Sequence, residues 1–577
     1  MSKAPSRLRQ MLLRLLLLGL AAPAIGHAQP PTTPTTQPSL PVAIEVDAGR
    51  PMGSLKPMWR FFGADEPNYA TMKDGRKLIG ELGALKPGEV YFRTHNLLNT
   101  GDGTPAFKWG STDIYTEDHN GKPIYNWTVV DRILDTYLAR GVRPYLQLGF
   151  MPQALSSAPA ETAYQHSWRP GFDYNLISGA WNAPPKDYGK WSELIYQWTL
   201  HNIHRYGRPE VERWYFEVWN EPNLPPYWTG AREDFFKLHD YAVAAVRRAL
   251  PTARVGGPEV AGPDSDFMNA FLAHVSRGTN YATGKVGTPT DFLSFHAKGA
   301  PVFVDGHVRM GIAAQLRAAD KGFAMVAAVP QLAVKPIVIG ENDPEGCAAC
   351  PGPQNAYRNG TMYSSYTAAS FARLWDLADR RKVDLKGALS WSFTFEDQPW
   401  FAGYRQLATN GVDLPVLNVF RLFAMLGPER IAATSDHQIG LDRIVAEGVR
   451  GSPDVGVLAT RGPHGRIAVL VWHYHDDDLP GPDAAVHLSL SGLAGSARSL
   501  TRWQVDKTHS NAFTAWRAMG SPASPDAKQY DALETAAKLA SVEPPRAVAV
   551  SGGRAAIDFT LPRQGVALLT LDPEAPK

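Results

Sequence analysis

Residues 214–224 read WYFEVWNEPNL, and the order of residue types in them carries much of the fold. From Trp214 to Trp219 the texture is apolar and aromatic, as in a strand buried on both faces. The run then ends on Asn220, Glu221 and Pro222. Proline cannot donate to a sheet ladder, and a glutamate is rarely buried without a partner. A buried strand ending on a glutamate between rings reads as a site at a strand end.

Seven further runs have the same build: RFFGAD from Arg60, VYFRTH from Val90, PYLQLGF from Pro144, RVGGPE from Arg254, FLSFHAKG from Phe292, PIVIGEN from Pro336 and GALSWSFTF from Gly387. Helical patterns lie between them. Val130, Ile133, Leu134, Tyr137 and Leu138 make one apolar face at helical spacing, and EDFFKLHDYAVAAVRRAL and MGIAAQLRAADKGFAMVAA also read as helices. Eight buried strands alternating with helices predict an α/β fold, a (β/α)8 TIM barrel, over residues 54–427. Its last helix, DLPVLNVFRLFAMLG from Asp413, is expected to stop at Gly427. Residues 428–577 change to short strands separated by turn signals, which predicts an accessory C-terminal β-sandwich. Residues 42–53 are expected to add a strand to it.

Composition excludes several classes. With 44% hydrophobic and 20% charged residues the 577-residue chain is ordinary for a globular protein, and its length calls for more than one domain. A net charge of +2 gives no field to draw nucleic acid or an anionic membrane. Residues 1–28 read as a signal peptide, with basic residues before a short apolar run and cleavage expected after Ala28, and residues 29–41 as a Pro/Thr-rich linker. The mature chain is therefore expected to be exported, to a bacterial periplasm or beyond, with no membrane anchor. Cys347 and Cys350 are the two cysteines; without a second pair a zinc site is not expected, and a local disulfide is.

In barrels of this kind, functional groups sit at the C-terminal ends of strands. The fourth run ends in Glu221 and the seventh in Glu341, on opposite sides of the mouth. Two facing carboxylates suit glycoside hydrolysis: one donates a proton to the departing oxygen, and the other attacks the anomeric carbon or activates water.

FEVWNEPNL resembles glycoside hydrolase family 39, of the clan A barrels. YFRTHNLLN from Tyr91, YNWTVVDRILD from Tyr125, LGFMP from Leu148 and HSNAFTAWRAMGSP from His509 are similar to further family segments, so the resemblance spans nearly the whole mature chain. It implies that Glu221 is the acid/base, that Glu341 is the nucleophile of a retaining double displacement, and that Asn220 bonds the sugar 2-hydroxyl. It also implies carboxylates about 5–5.5 Å apart.

The family's best-known members act on β-D-xylosides or α-L-iduronides, which differ at C5 in hydrogens against a carboxylate. Where the xylosidases resemble SYHAY, this chain has SFHAKGAP, which keeps His296 and sets Lys298 in place of the Tyr. That pattern looks more like the iduronidases, whose lysine meets the sugar carboxylate; alternatively Lys298 pairs with Glu341 or another acid and the sugar is neutral. ENDP at Glu341 leans to iduronidases, and the C-terminal segments lean to xylosidases. The leading expectation is a secreted, retaining, β-xylosidase-like exo-glycosidase on an oligosaccharide or polysaccharide, needing neither cofactor nor metal. An iduronidase-like or other uronide or arabinoside hydrolase is the alternative, and a non-catalytic polysaccharide-binding protein is the alternative of another class.

Trp391 offers a stacking platform, and Glu396, Asp397 and Arg405 offer polar contacts; Arg405 either holds a carboxylate or pairs with Asp397 or Glu396. His95 and His166 are candidates for the cleft lining, and Glu259 reads as a structural acid with an arginine partner. HYHDDD from His473 reads as a solvated turn at a strand end.

Overall fold

The computed structural model describes residues 39–103, 111–162, 180–263, 266–347, 350, 352–392 and 396–573. The leader, nearly all of the linker and His166 lie outside the described residues.

Eight parallel strands close into a barrel: Phe61–Ala64, Val90–Thr94, Val142–Leu148, Tyr215–Val218, Arg254–Val260, Phe292–His296, Pro336–Glu341 and Asp384–Trp391, the last pairing back to the first. Each of the eight apolar runs overlaps one of them. The helix at Thr128–Leu138 buries Val130, Ile133, Leu134 and Tyr137, the face expected from their spacing. The other two helical patterns form Arg232–Ala249 and Ile312–Ala327. The last barrel helix, Pro415–Ala424, ends earlier than Gly427. Gly427 instead lies where two backbones cross, since a Cβ there would stand 2.3 Å from the Arg461 carbonyl oxygen.

The period of two along a strand sorts inward side chains into tiers. The lowest is apolar: Phe61, Tyr91, Tyr145, Tyr215, Phe292, Val338 and Leu389 form one buried cluster in the lumen, joined from one step above by Trp391. Phe61 stacks on Tyr91 at 5.0 Å and Tyr145 on Tyr215 at 5.2 Å. One step up, the second and fourth strands turn ionic, with Arg93 two residues beyond Tyr91 and Glu217 two beyond Tyr215, both fully buried. The mouth lies further up, at His95, Glu221 and His296.

The accessory domain is a single ten-stranded sheet curled on itself. Leu40–Ser54 lies in its middle, antiparallel to Glu429–Ser435 and parallel to Ala484–Ser491. Residues from both arms of the curl, among them Ile44, Leu488 and Ile557 with Val469, Val471 and Leu569, share one core. The face-to-face packing expected of a sandwich is thus made by one continuous sheet.

Barrel and sheet meet along the helix Thr361–Arg381, which is buried over most of its surface and packs on the strand Ile467–Tyr474. Small polar residues let the two approach closely: Ser364, Ser365, Thr367 and Ser370 are all buried, and Ser365 donates to Gln564 at 2.6 Å. Arg373, 2% exposed at its side chain, donates to Asp454 at 2.8 Å and to the Ile439 carbonyl at 2.8 Å. HYHDDD also serves this junction and is not the solvated turn expected: His475, Asp476 and Asp477 are buried. Asp477 accepts from Arg309 at 2.6 Å, which ties the hairpin Val302–Arg309 above the sixth barrel strand to the sheet. Among the described residues no helix is long and apolar enough to cross a membrane.

Removing Arg373 leaves the Asp454 carboxylate buried without its cation. Arg373→Met is expected to cost about 3 kcal/mol of stability, read by denaturant unfolding, and Asp454→Asn in the same chain is expected to recover part of the loss.

Candidate active site

The chain reaches the mouth through strained backbone. Trp219 and Glu221 have left-handed φ values of 71° and 46°, unusual for residues with a Cβ. This turn aims Glu221 into the barrel, and the Glu221 N–H donates to the Glu259 carbonyl at 2.8 Å. Glu341 ends the seventh strand on the facing wall. Oxygens of Glu221 and Glu341 and a ring nitrogen of His296 lie within 4.8 Å of one another. Lys298 brings an ammonium to this trio, 3.1 Å from Glu221 and 2.8 Å from Glu341.

His296 sits between two acids. Its Nδ1 is 2.8 Å from Glu221 Oε1 and its Nε2 is 2.9 Å from Glu259 Oε1, with Glu341 at 3.8 Å. Burial opposes charge on the ring, but Glu341 and Glu259 and the bond to Glu221 raise its pKa to about 9. It is therefore an imidazolium at neutral pH, donating from both nitrogens. Burial would also raise Glu221, yet Lys298 and His296 hold it at about 2. Glu341 is likewise held well below the carboxylate range against burial, by His296, Lys298, Arg405 and Arg93.

Arg93 holds the tier below. Its Nε donates to Glu217 at 2.6 Å and its Nη2 to Asn220 at 2.9 Å. Glu259 lies 3.5 Å and Glu341 3.6 Å from the same guanidinium. Burial still pushes Glu217 up to about 8, and it accepts from the Tyr145 hydroxyl at 2.6 Å. His95 lies 2.7 Å from Asp65, and burial with the nearby Arg93 lowers it to about 3, so it is neutral.

The fold therefore gathers Glu221, Glu341, Asn220, His296, Lys298 and Arg405 at one mouth. Trp391 is 1% exposed, with its ring edge-on to His95 and 5.1 Å from the Arg405 guanidinium. Arg405 faces neither Glu396 nor Asp397. Its partners are Glu341 at 3.4 Å, Asp343 at 3.6 Å and the Glu345 carbonyl, whereas Glu396 accepts from the Asp74 N–H of the first barrel helix at 2.6 Å. Glu259 has Arg93 as its arginine partner and His296 besides. Arg93, Glu217 and Asp343 escape a reading of strand ends; Arg93 lies two residues below His95 and Glu217 four below Glu221, where the period of two marks them as inward. Cys347 and Cys350 form a disulfide in the loop beyond Glu341.

The model of glycosyl hydrolases family 39 matches residues 42–555, across both barrel and sheet. The chain belongs to glycosyl hydrolase family 39. Among its relatives, the β-xylosidase of Geobacillus stearothermophilus is 27% identical over 540 residues, covering 90% of this chain and 93% of that one. The α-L-iduronidase of Mus musculus is 26% identical over 532 residues, covering 85% of this chain and 75% of the relative. A crystal structure of a monomeric β-xylosidase from Caulobacter crescentus CB15 shares the fold, with a TM-score of 0.71 at 22% identity over 92% of this chain and 100% of that one.

The raised pKa of His296 links its charge to folding. A group raised in the folded state adds stability that is complete below its unfolded value, near 6.5, and is lost as pH rises through about 9. The Tm gap between the parent protein and His296→Gln is therefore expected to be widest below pH ~6.5 and to narrow as pH passes through ~9, in thermal melts across that range. A gap that does not change with pH would mean that the ring is neutral.

Proposed function

We propose that this family 39 glycosidase is a retaining exo-glycosidase with Glu341 as nucleophile and Glu221 as acid/base. The observation that carries the reading is the spacing: carboxylate oxygens within 4.8 Å suit direct attack on an anomeric carbon. Retaining sites hold their carboxyl groups about 5–5.5 Å apart, whereas inverting sites need about 6.5–9.5 Å to admit a water. Glu341, a strongly depressed carboxylate, attacks C1 as the glycosidic C–O bond breaks, and the departing oxygen takes a proton through Glu221. Water then gives a proton to Glu221 and displaces Glu341 from C1, restoring the starting configuration.

For the glycone we propose a β-D-xyloside-type pyranose, which the β-xylosidase relative supports. Lys298 at 2.8 Å from Glu341 is the pairing that a neutral sugar requires. A uronide of α-L-iduronide type is the second reading, favoured by a specific observation. Lys298 bridges both carboxylates, so a sugar ring entering between them must detach the ammonium from Glu221. A carboxylate at C5 would replace that lost partner, and Arg405, already turned toward Glu341, sets a second cation beside it. We also propose that the protein is exported, on the strength of its leader and of the Cys347–Cys350 disulfide, a bond that persists in oxidising compartments.

Aryl β-D-xyloside, α-L-iduronide, α-L-arabinoside and β-D-glucuronide substrates separate the two glycone readings. Turnover of the xyloside and not of uronides supports the first; preference for the iduronide, moved toward the xyloside by Lys298→Tyr, supports the second. NMR of the first-formed sugar is expected to show the anomer of the substrate, and the opposite anomer would remove Glu341 as nucleophile. For export, intact mass of protein recovered outside the cytoplasm is expected to begin at Gln29; a chain retaining Met1 there would refute the leader reading.

A further inference from the structure

Glu259 is fully buried, one residue before the end of the fifth strand. It grips Glu221 twice. Its carbonyl oxygen accepts from the Glu221 N–H at 2.8 Å, and its carboxylate reaches the Glu221 carboxylate through the His296 ring, with 2.9 Å on one side and 2.8 Å on the other. The surroundings are shaped to allow this. Glu259 adopts a left-handed φ of 56°, and a Cβ on Gly340 would fall 1.4 Å from Glu259 Oε1, so only glycine before the proposed nucleophile leaves room for the carboxylate. Oε1 carries the bond to His296 and faces Arg93, and the carboxylate also hydrogen-bonds with the Glu217 side chain beneath it.

We propose that Glu259 is a positioning residue which holds, on His296, the proton that Glu221 delivers to the leaving group. The inference rests on the reading of Glu221 as acid/base. In the first step the Nδ1 proton passes to Glu221 Oε1 and on to the glycosidic oxygen, leaving a neutral imidazole whose Nε2–H still donates to Glu259. In the second, the proton released by the attacking water returns through Glu221 to Nδ1, and no proton is gained or lost over the cycle. The groups facing the ring fix the sign. Glu221 from strand four, Glu259 from strand five and Glu341 from strand seven favour the bound proton, and Lys298 on its own strand opposes it. Arg93 from strand two and Arg405 from beyond strand eight neutralise part of this charge, and Glu217 beneath, in contact with Arg93, is mostly uncharged below its pKa of about 8. Deleting the negative charge of Glu259 therefore weakens proton binding by the His296–Glu221 pair.

The experiment is kcat/KM against pH for phenyl β-D-xyloside or phenyl α-L-iduronide, whichever is hydrolysed, because phenol is a poor enough leaving group to need an acid. Glu259→Gln is expected to move the alkaline limb to lower pH by about one unit, and Glu259→Asp, which keeps the charge, to hold it close to the parent. On a His296→Gln background Glu259→Gln is expected to add no shift. A fall in kcat at every pH with an unmoved limb, or a shift that persists in full without His296, overturns the proposal. Should Glu259→Gln not fold, nitrogen-15 NMR titration of histidines in the parent protein decides: His296 is expected to titrate where the alkaline limb lies, and a mismatch overturns the idea. Glu221→Gln separates the two failures. If it keeps full activity on the phenyl glycoside, the acid/base reading itself fails. If it loses activity by about 10²–10⁴-fold while the Glu259→Gln limb stays in place, only the present inference fails.

Discussion

A guanidinium with no exposed surface sits in the barrel lumen, and the mouth above depends on it. Arg93 is on the second strand, yet its partners come from the fourth, fifth and seventh: Glu217 and Asn220, Glu259, and Glu341. A charge so buried is tolerable only if anions and acceptors surround it closely, and each of those acids is tolerable only because the arginine is there. The arrangement reaches across the barrel and sets where the strand ends stand relative to one another. Below it the aromatic tier fills the lumen and keeps water from relieving the charge. Above it, the same guanidinium helps keep Glu341 ionised and His95 neutral.

The cluster also divides its acids into different states by environment. Glu217, deepest and beside Glu259, is pushed up by burial, whereas Glu341, facing four cations, is driven down. Glu221 lies between these extremes in role: Lys298 and His296 keep it ionised, although the proposed chemistry requires it to pass on a proton. Lys298 lies between the two carboxylates, and on the proposed reading its fate on substrate binding connects the choice of glycone with the state of Glu221. The accessory sheet acts at longer range, buttressing the helix behind the seventh strand through Arg373 and Asp454 and the hairpin beyond Lys298 through Arg309 and Asp477.

Much of this was readable from the chain alone wherever the signal was local and periodic. The barrel strands announced themselves as apolar runs because a parallel sheet covered on both faces needs apolar residues at every position. Glu221 and Glu341 stood out because they close runs on opposite sides of the mouth and Glu221 lies within FEVWNEPNL. Arg405 was harder: its neighbours in sequence, Glu396 and Asp397, offered plausible charges, but its partners belong to the loop after strand seven. HYHDDD misled in the opposite way, since six polar residues in a row resemble solvent-exposed chain until another segment is packed against them.

By itself, then, the sequence determined the succession of strands and helices, the residues at the strand ends and the family, because hydrophobic period and chain order are properties of neighbouring residues. The tertiary structure alone decided which acid meets which base. Arg93 finds Glu217 124 residues away, and His296 finds Glu221 and Glu259 at separations of 75 and 37 residues. A charge state depends on what lies within a few ångströms, and closing the barrel is what converts those long separations into contact.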